Sequence, residues 1–289
     1  MMIETNAKLG EKGAWLSIIT YIVLALSKLI IGHVGHSDAL RADGLNNSTD
    51  VIASIAILIG LRISQKPPDQ DHRYGHYRAE TIASLFAAFI MMFVGIQVMI
   101  DTFQKVFAHE IMQPNMITAW TALGSFIMML LVYRVNLILS KKVNSRALFA
   151  AAQDNKSDAL VSIGAFLGIV GAQFGVFWLD PLTGLIVGLI ICFTAWKIFK
   201  EATHTLTDGF DETLLEQMKE TVYTVPQVKK VKDIKGRILG NQQFIDITIL
   251  VDYYLNVEES HDITVRIEKL LYEKHHIPYA HIHIEPYKE

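Results

Sequence analysis

The sequence predicts a six-helix membrane bundle with inverted three-helix repeats, followed by a small α+β domain of αββαβ order. Three observations carry that expectation. Apolar runs fill the first two thirds of the 289 residues, whereas charges are dense after about Thr205. A polar motif inside one apolar run returns inside another 108 residues later. Beyond Thr205 the periodicity switches between helical and strand-like.

About 20 apolar residues cross a bilayer, so six spans are expected, at roughly 13–34, 38–63, 80–104, 114–138, 146–173 and 178–200. Basic residues set their orientation. Lys8 and Lys12 precede the first span; Arg62, Lys66, Arg73 and Arg78 separate the second from the third; Lys141, Lys142 and Arg146 separate the fourth from the fifth. Lys197 and Lys200 fall at the end of the sixth, while the other side carries little beyond Arg41 and Lys105. Both termini are therefore expected in the cytoplasm. With three spans per repeat, the second and fifth helices run in opposite directions.

The second span holds Asp43, Asn46, Asn47 and Asp50 on one helical face. An ionisable group at membrane depth is costly, so it faces a protein interior or a water-filled path and marks a functional site by default. Asn46 and Asp50 are echoed by Asp154 and Asp158, Asn47 by Asn155, Ser54 by Ser162 and Gly60 by Gly168. Unrelated membrane helices resemble one another in Leu, Ile, Val and Ala; here the polar residues match, which favours a duplicated site. Asn46 and Asp154 each lie roughly 12 Å from opposite faces of a core roughly 30 Å thick, so the two pairs can meet near the midplane.

The connection QKPPDQDHRYGHYRAE offers Asp69, Asp71, His72 and His76. A carboxylate with two imidazoles can hold a divalent metal, although such a loop also occurs without one. Leu214, Leu215, Met218 and Val222 form a helical stripe, Phe244 to Val251 alternate as a strand, and Ile263 to Tyr272 give a second helix. In the final strand His281, His283 and Glu285 share one face. A domain this small gains stability by pairing, so a homodimer is expected. The net charge of −3 gives no basic excess for nucleic acid, and the single cysteine, Cys192, excludes a disulfide framework. No nucleophile–base constellation or phosphate loop suggests an enzyme.

Together these residues resemble the cation diffusion facilitator family of divalent-metal transporters over nearly the whole chain. The polar quartets, the PPDQDHRYGHYRAE loop and the αββαβ domain carry the resemblance. It implies a transport domain at 1–205 and a cytoplasmic, metallochaperone-like dimerisation and metal-sensing domain at 206–289. It also implies export of a divalent metal from the cytoplasm in exchange for protons, by a homodimer in the lipid bilayer, most simply of the cell membrane. Asn46, Asp50, Asp154 and Asp158 take the transport-site positions. Asp69, His72 and His76 match a loop metal site, His261, His283 and Glu285 a cytoplasmic one, and Arg78 and Asp208 a charge pair that secures the dimer.

Where the sequence departs from the zinc members, it points to the metal. Zinc members carry a histidine in the quartet, whereas this quartet is one amide and three carboxylates. Oxygen ligands suit manganese, although Fe2+, Co2+ and Zn2+ bind them too. Lys232 and Thr248 stand where zinc members have two more histidines, so a weaker or single-metal cytoplasmic site is expected. Crowded carboxylates repel one another, so metal and protons should compete for them. A passive metal channel would use the same duplicated site without proton coupling. A membrane-anchored metal sensor is the third reading, but an anchor has no need of buried acids.

Overall fold

The computed structural model describes residues 2–107, 112–143, 146–240 and 242–287, without the side chains of 2–15, 143, 146–148 and 150. The side chains of Lys8, Lys12 and Arg146, which entered the expected orientation, lie outside that description. Six long helices come first: α1 (Met2–Val34), α2 (Asp38–Ser64), α3 (Arg78–Phe107), α4 (Met116–Val143), α5 (Arg146–Gln173) and α6 (Leu179–Leu206). Among the described residues, five of these contain segments long and apolar enough to cross a membrane. α5 is 28 residues long, and the polar load of the repeated motif, Asp154, Lys156 and Asp158, keeps it out of that group. On α3 the side chains of Phe86, Phe93 and Phe103 are 66%, 70% and 55% exposed. Leaving such side chains in water forgoes about 1.5–3 kcal/mol each, which fits a hydrocarbon surround.

The chain divides into two compact units, Met1–Ala56 with Phe86–Lys197, and Ile57–Leu85 with Ile198–Glu289. In the first, Ala39 and Leu40 of α2 pack with Ala119 and Ala122 of α4 and with Ala165 and Ile169 of α5. Leu24, Met129 and Ala159 join α1, α4 and α5. Small side chains let backbones approach closely where lipid supplies no hydrophobic drive. The repeated glycines serve the same end in the two halves. A Cβ on Gly60 would fall 2.9 Å from the Glu80 Cα of α3, and one on Gly168 would fall 2.8 Å from the Thr183 Cβ of α6.

The second unit contains α7 (Glu212–Tyr223), β1 (Lys230–Leu239), β2 (Gln242–Asp252), α8 (Val257–His275) and β3 (Tyr279–Tyr287). The order αββαβ is the predicted one. The sheet runs β1-β2-β3, with β1 and β2 antiparallel and β2 and β3 parallel. α8 supplies the crossover that parallel neighbours need. Ile245, Ile247, Ile249 and Val251 alternate into a core with Met218 and Val222 of α7 and Ile263, Ile267 and Leu271 of α8. α8 begins six residues before the expected Ile263, because Asn256 and Glu259 form a reciprocal capping box. That signature stands in the sequence as Asn-x-x-Glu, ahead of the apolar stripe.

Candidate transport site and metal centre

α2 and α5 bring three of the four predicted transport residues together. The Asn46 amide donates to Asp158 Oδ1 at 3.0 Å, and to Asp50 Oδ2, one turn away on its own helix, at 3.5 Å. Asn46 and Asp158 are each 7% exposed. A cation would need the amide oxygen, which a 180° rotation of the amide group brings to the place of its nitrogen. Asp154 is exposed. Among the described residues, Asp50, Asp154 and Asp158 do not bring one oxygen each within 4.8 Å of one another.

Two groups from α1 complete the arrangement, and both were missed in the sequence. Tyr21 donates its hydroxyl to Asp158 Oδ2 at 2.5 Å. Lys28, two turns further along, pairs with Asp43 Oδ2 at 2.8 Å and donates to Asn47 Oδ1 at 2.7 Å and Ser162 Oγ at 3.0 Å. Ser162 donates in turn to Asp43 Oδ2 at 2.9 Å. The face Asp43, Asn46, Asn47, Asp50 therefore divides: Asn46 and Asp50 line the candidate site, while Asp43 and Asn47 enclose a lysine. A signal was available, since Lys28 lies inside an apolar span where any charge should raise the question of function.

The loop triad is assembled locally. Asp69 Oδ1 accepts from the backbone N–H groups of His72 at 2.7 Å and Asp71 at 3.0 Å, which holds its carboxyl below the usual carboxylate range. Gly75 at φ 82° turns the chain so that His76 comes back beside Asp69. His72 Nδ1 lies 3.2 Å from Asp69 Oδ1, and His76 Nε2 lies 3.4 Å from Asp69 Oδ2. Two ligands on one tetrahedral ion stand about 3.3 Å apart, given metal–ligand bonds of about 2.0–2.1 Å. The two histidines approach different oxygens of Asp69, and one ligand atom from each of the three residues lies within 4.8 Å of the others, a cluster that could hold a metal ion. His76 Nδ1 is buried without a hydrogen-bond partner.

The residues predicted for a cytoplasmic metal site do not form such a cluster among the described residues. His283 Nε2 is 3.8 Å from Glu285 Oε1, but both oxygens of Glu285 are held by Lys232 Nζ, at 2.6 and 2.8 Å. His261 lies on α8, exposed and apart from them. On β3, His281 and His283 are exposed and share the predicted face. Arg78 Nη2 meets Asp208 Oδ1 at 2.7 Å, both of them half-exposed.

Residues 14–207 match the cation efflux transmembrane domain, and residues 210–287 match the cytoplasmic domain of cation efflux proteins. The chain belongs to the cation efflux family. This is the cation diffusion facilitator family that the motifs resemble, a family of divalent-cation transporters rather than of enzymes. The chain is 56% identical over 282 residues to the manganese efflux system protein MneS of Bacillus subtilis (strain 168), covering 98% of this chain and 97% of that protein. It is 30% identical over 297 residues to the manganese efflux system protein MneP of the same organism, covering 100% of both. This cation efflux protein is thus an integral membrane exporter with a three-stranded α+β domain at its C-terminal end.

Proposed function

We propose that this cation efflux protein exports Mn2+ from the cytoplasm across the cell membrane in exchange for protons, through a site made by Asn46, Asp50, Asp154 and Asp158. The hydrogen bond from Asn46 to Asp158 carries the reading, because it joins the duplicated polar motifs of the two repeats, the first member of one pair to the second member of the other, through groups that ligate a hard cation. The donor set is all oxygen, which suits manganese better than imidazole or thiolate would. Two relatives bearing the name manganese efflux support the same metal. Fe2+, Co2+ and Zn2+ remain chemically competent substrates.

Carboxylates gathered around one amide repel one another, and either a divalent cation or protons relieves that repulsion. Metal arriving from the cytoplasm releases the protons; opening to the other side lets external protons release the metal. Tyr21 holds one oxygen of Asp158 and orients the other toward Asn46. Residues 1–205 carry transport, and residues 206–289 pair two chains in the cytoplasm, where both termini lie. Asp69, His72 and His76 bind a divalent ion beside the Arg78–Asp208 pair, which secures the dimer. His261, His283 and Glu285 bind metal weakly at most, since Lys232 already neutralises Glu285.

The test uses purified protein in proteoliposomes, with Mn2+ uptake and proton movement read together. Asp158→Ala should lower Mn2+-driven proton movement by roughly 10-fold or more, the scale of disrupting a metal site. Unchanged coupled flux in that variant would place transport elsewhere.

A further inference from the structure

Lys28 and Asp43 are completely buried, at 0% exposure, and 2.8 Å apart. A buried ion pair carries a desolvation penalty of several kcal/mol per ion, and well-packed apolar side chains often replace one without loss of stability. Packing therefore does not explain why charges stand here. The repeat supports this, since the same 108-residue offset puts Asn136 at the place of Lys28, Ala151 at that of Asp43 and Asn155 at that of Asn47. In the second half the two amides simply donate to Ser17 Oγ, at 2.8 Å from Asn136 and 3.2 Å from Asn155. The bundle thus accommodates a neutral version of this layer.

The surroundings of the ammonium have the chemistry of a cation site. A carboxylate, an amide carbonyl and a hydroxyl, Asp43 Oδ2, Asn47 Oδ1 and Ser162 Oγ, converge on it within 3.0 Å. These are hard oxygen donors of the kind that hold divalent cations. Asp43 Oδ1 and Asn47 Nδ2 are buried beside it with no hydrogen-bond partner. Asn47 follows Asn46 directly, and Ser162 lies one turn from Asp158. The layer therefore adjoins the transport quartet and is built from the same two helices.

We propose that Lys28 is a tethered cation occupying an oxygen-lined site beside the quartet. It excludes a second mobile cation and so sets the membrane bundle to one metal ion per chain. That the neighbouring quartet carries transport rests on the function proposed above; the occupancy of the Lys28 site does not. Lys28 also joins α2 and α5 through Asn47 and Ser162, while Tyr21, on α1 like Lys28, holds α5 through Asp158.

Equilibrium binding of Mn2+ to the purified full chain tests this. Lys28→Ala should bind one more ion per chain than the unaltered protein, and Lys28→Ala with Asp43→Asn should return to the original number. An unchanged stoichiometry in Lys28→Ala overturns the proposal. If Lys28→Ala fails to fold, the double variant should fold and Mn2+ should rescue the single one; failure of either overturns it equally. Asp158→Ala in the otherwise unaltered protein should lose one ion. If it loses none, the quartet reading fails while the comparison of the two Lys28 variants still decides the role of Lys28.

Discussion

The quartet in the membrane and the triad in the loop are both oxygen- or nitrogen-lined metal candidates, yet they are put together in opposite ways. Asp69, His72 and His76 come from eight consecutive residues, and one turn at Gly75 suffices to bring their ligand atoms within 4.8 Å of one another. Asn46, Asp50, Asp154 and Asp158 come from two helices, with α1 holding one of them from the side, and Asp154 stands apart from the other three. A site set by local chain geometry has one arrangement. A site shared between helices changes whenever those helices move, as a carrier that must bind and release requires.

The largest expected effect separates the two directly. Asp158→Ala should reduce Mn2+ export by roughly 10-fold or more, while His76→Ala should leave the membrane site able to bind. Should the loop variant be the more damaging for export, the assignment of roles is reversed. Next comes selectivity: Asn46→His adds an imidazole to the quartet and should shift competition between Zn2+ and Mn2+ toward Zn2+, read by export of each metal alone. An unchanged ratio would mean that selectivity lies outside the quartet.

A smaller effect is expected at the loop. His76→Ala should weaken divalent binding there by roughly 10- to 100-fold, measured as the loss of one class of bound ion in the full chain. Smallest is a pH effect on the same turn. The backbone N–H groups of His72 and Asp71 favour the ionised Asp69, so its contribution to the turn is complete above the ordinary carboxylate range and is lost as pH falls below it. Amide exchange of His72 should therefore speed up only in strongly acidic buffer. Acceleration already near neutrality would assign the turn to another group.

The sequence made most of this arrangement readable, for physical reasons that differ by region. The length of the apolar runs located all six helices, because a bilayer core sets the length that must cross it, and periodicity gave the αββαβ order, because burial on one face of a helix or sheet spaces the apolar residues. The duplication of Asn46 and Asp50 as Asp154 and Asp158 was visible because polar matches stand out in apolar helices. What stayed hidden was pairing across the bundle. Nothing local to α1 says that Tyr21 reaches Asp158 or that Lys28 reaches Asp43, Asn47 and Ser162, since those contacts span up to 137 residues. Lys232 was noted only as a replaced histidine; its bond to Glu285 depends on bringing β1 and β3 together across β2. A lysine in each unit thus pairs with an acid that spacing alone placed on a candidate functional face.

Simultaneous measurement of Mn2+ uptake and proton release in proteoliposomes, with the two gradients imposed separately, tests the central claim most directly. The account predicts that an imposed proton gradient drives Mn2+ against its own concentration gradient, and that Asp158→Ala abolishes this. Mn2+ flux that only runs down its gradient, with no accompanying proton movement, would contradict exchange and leave a channel.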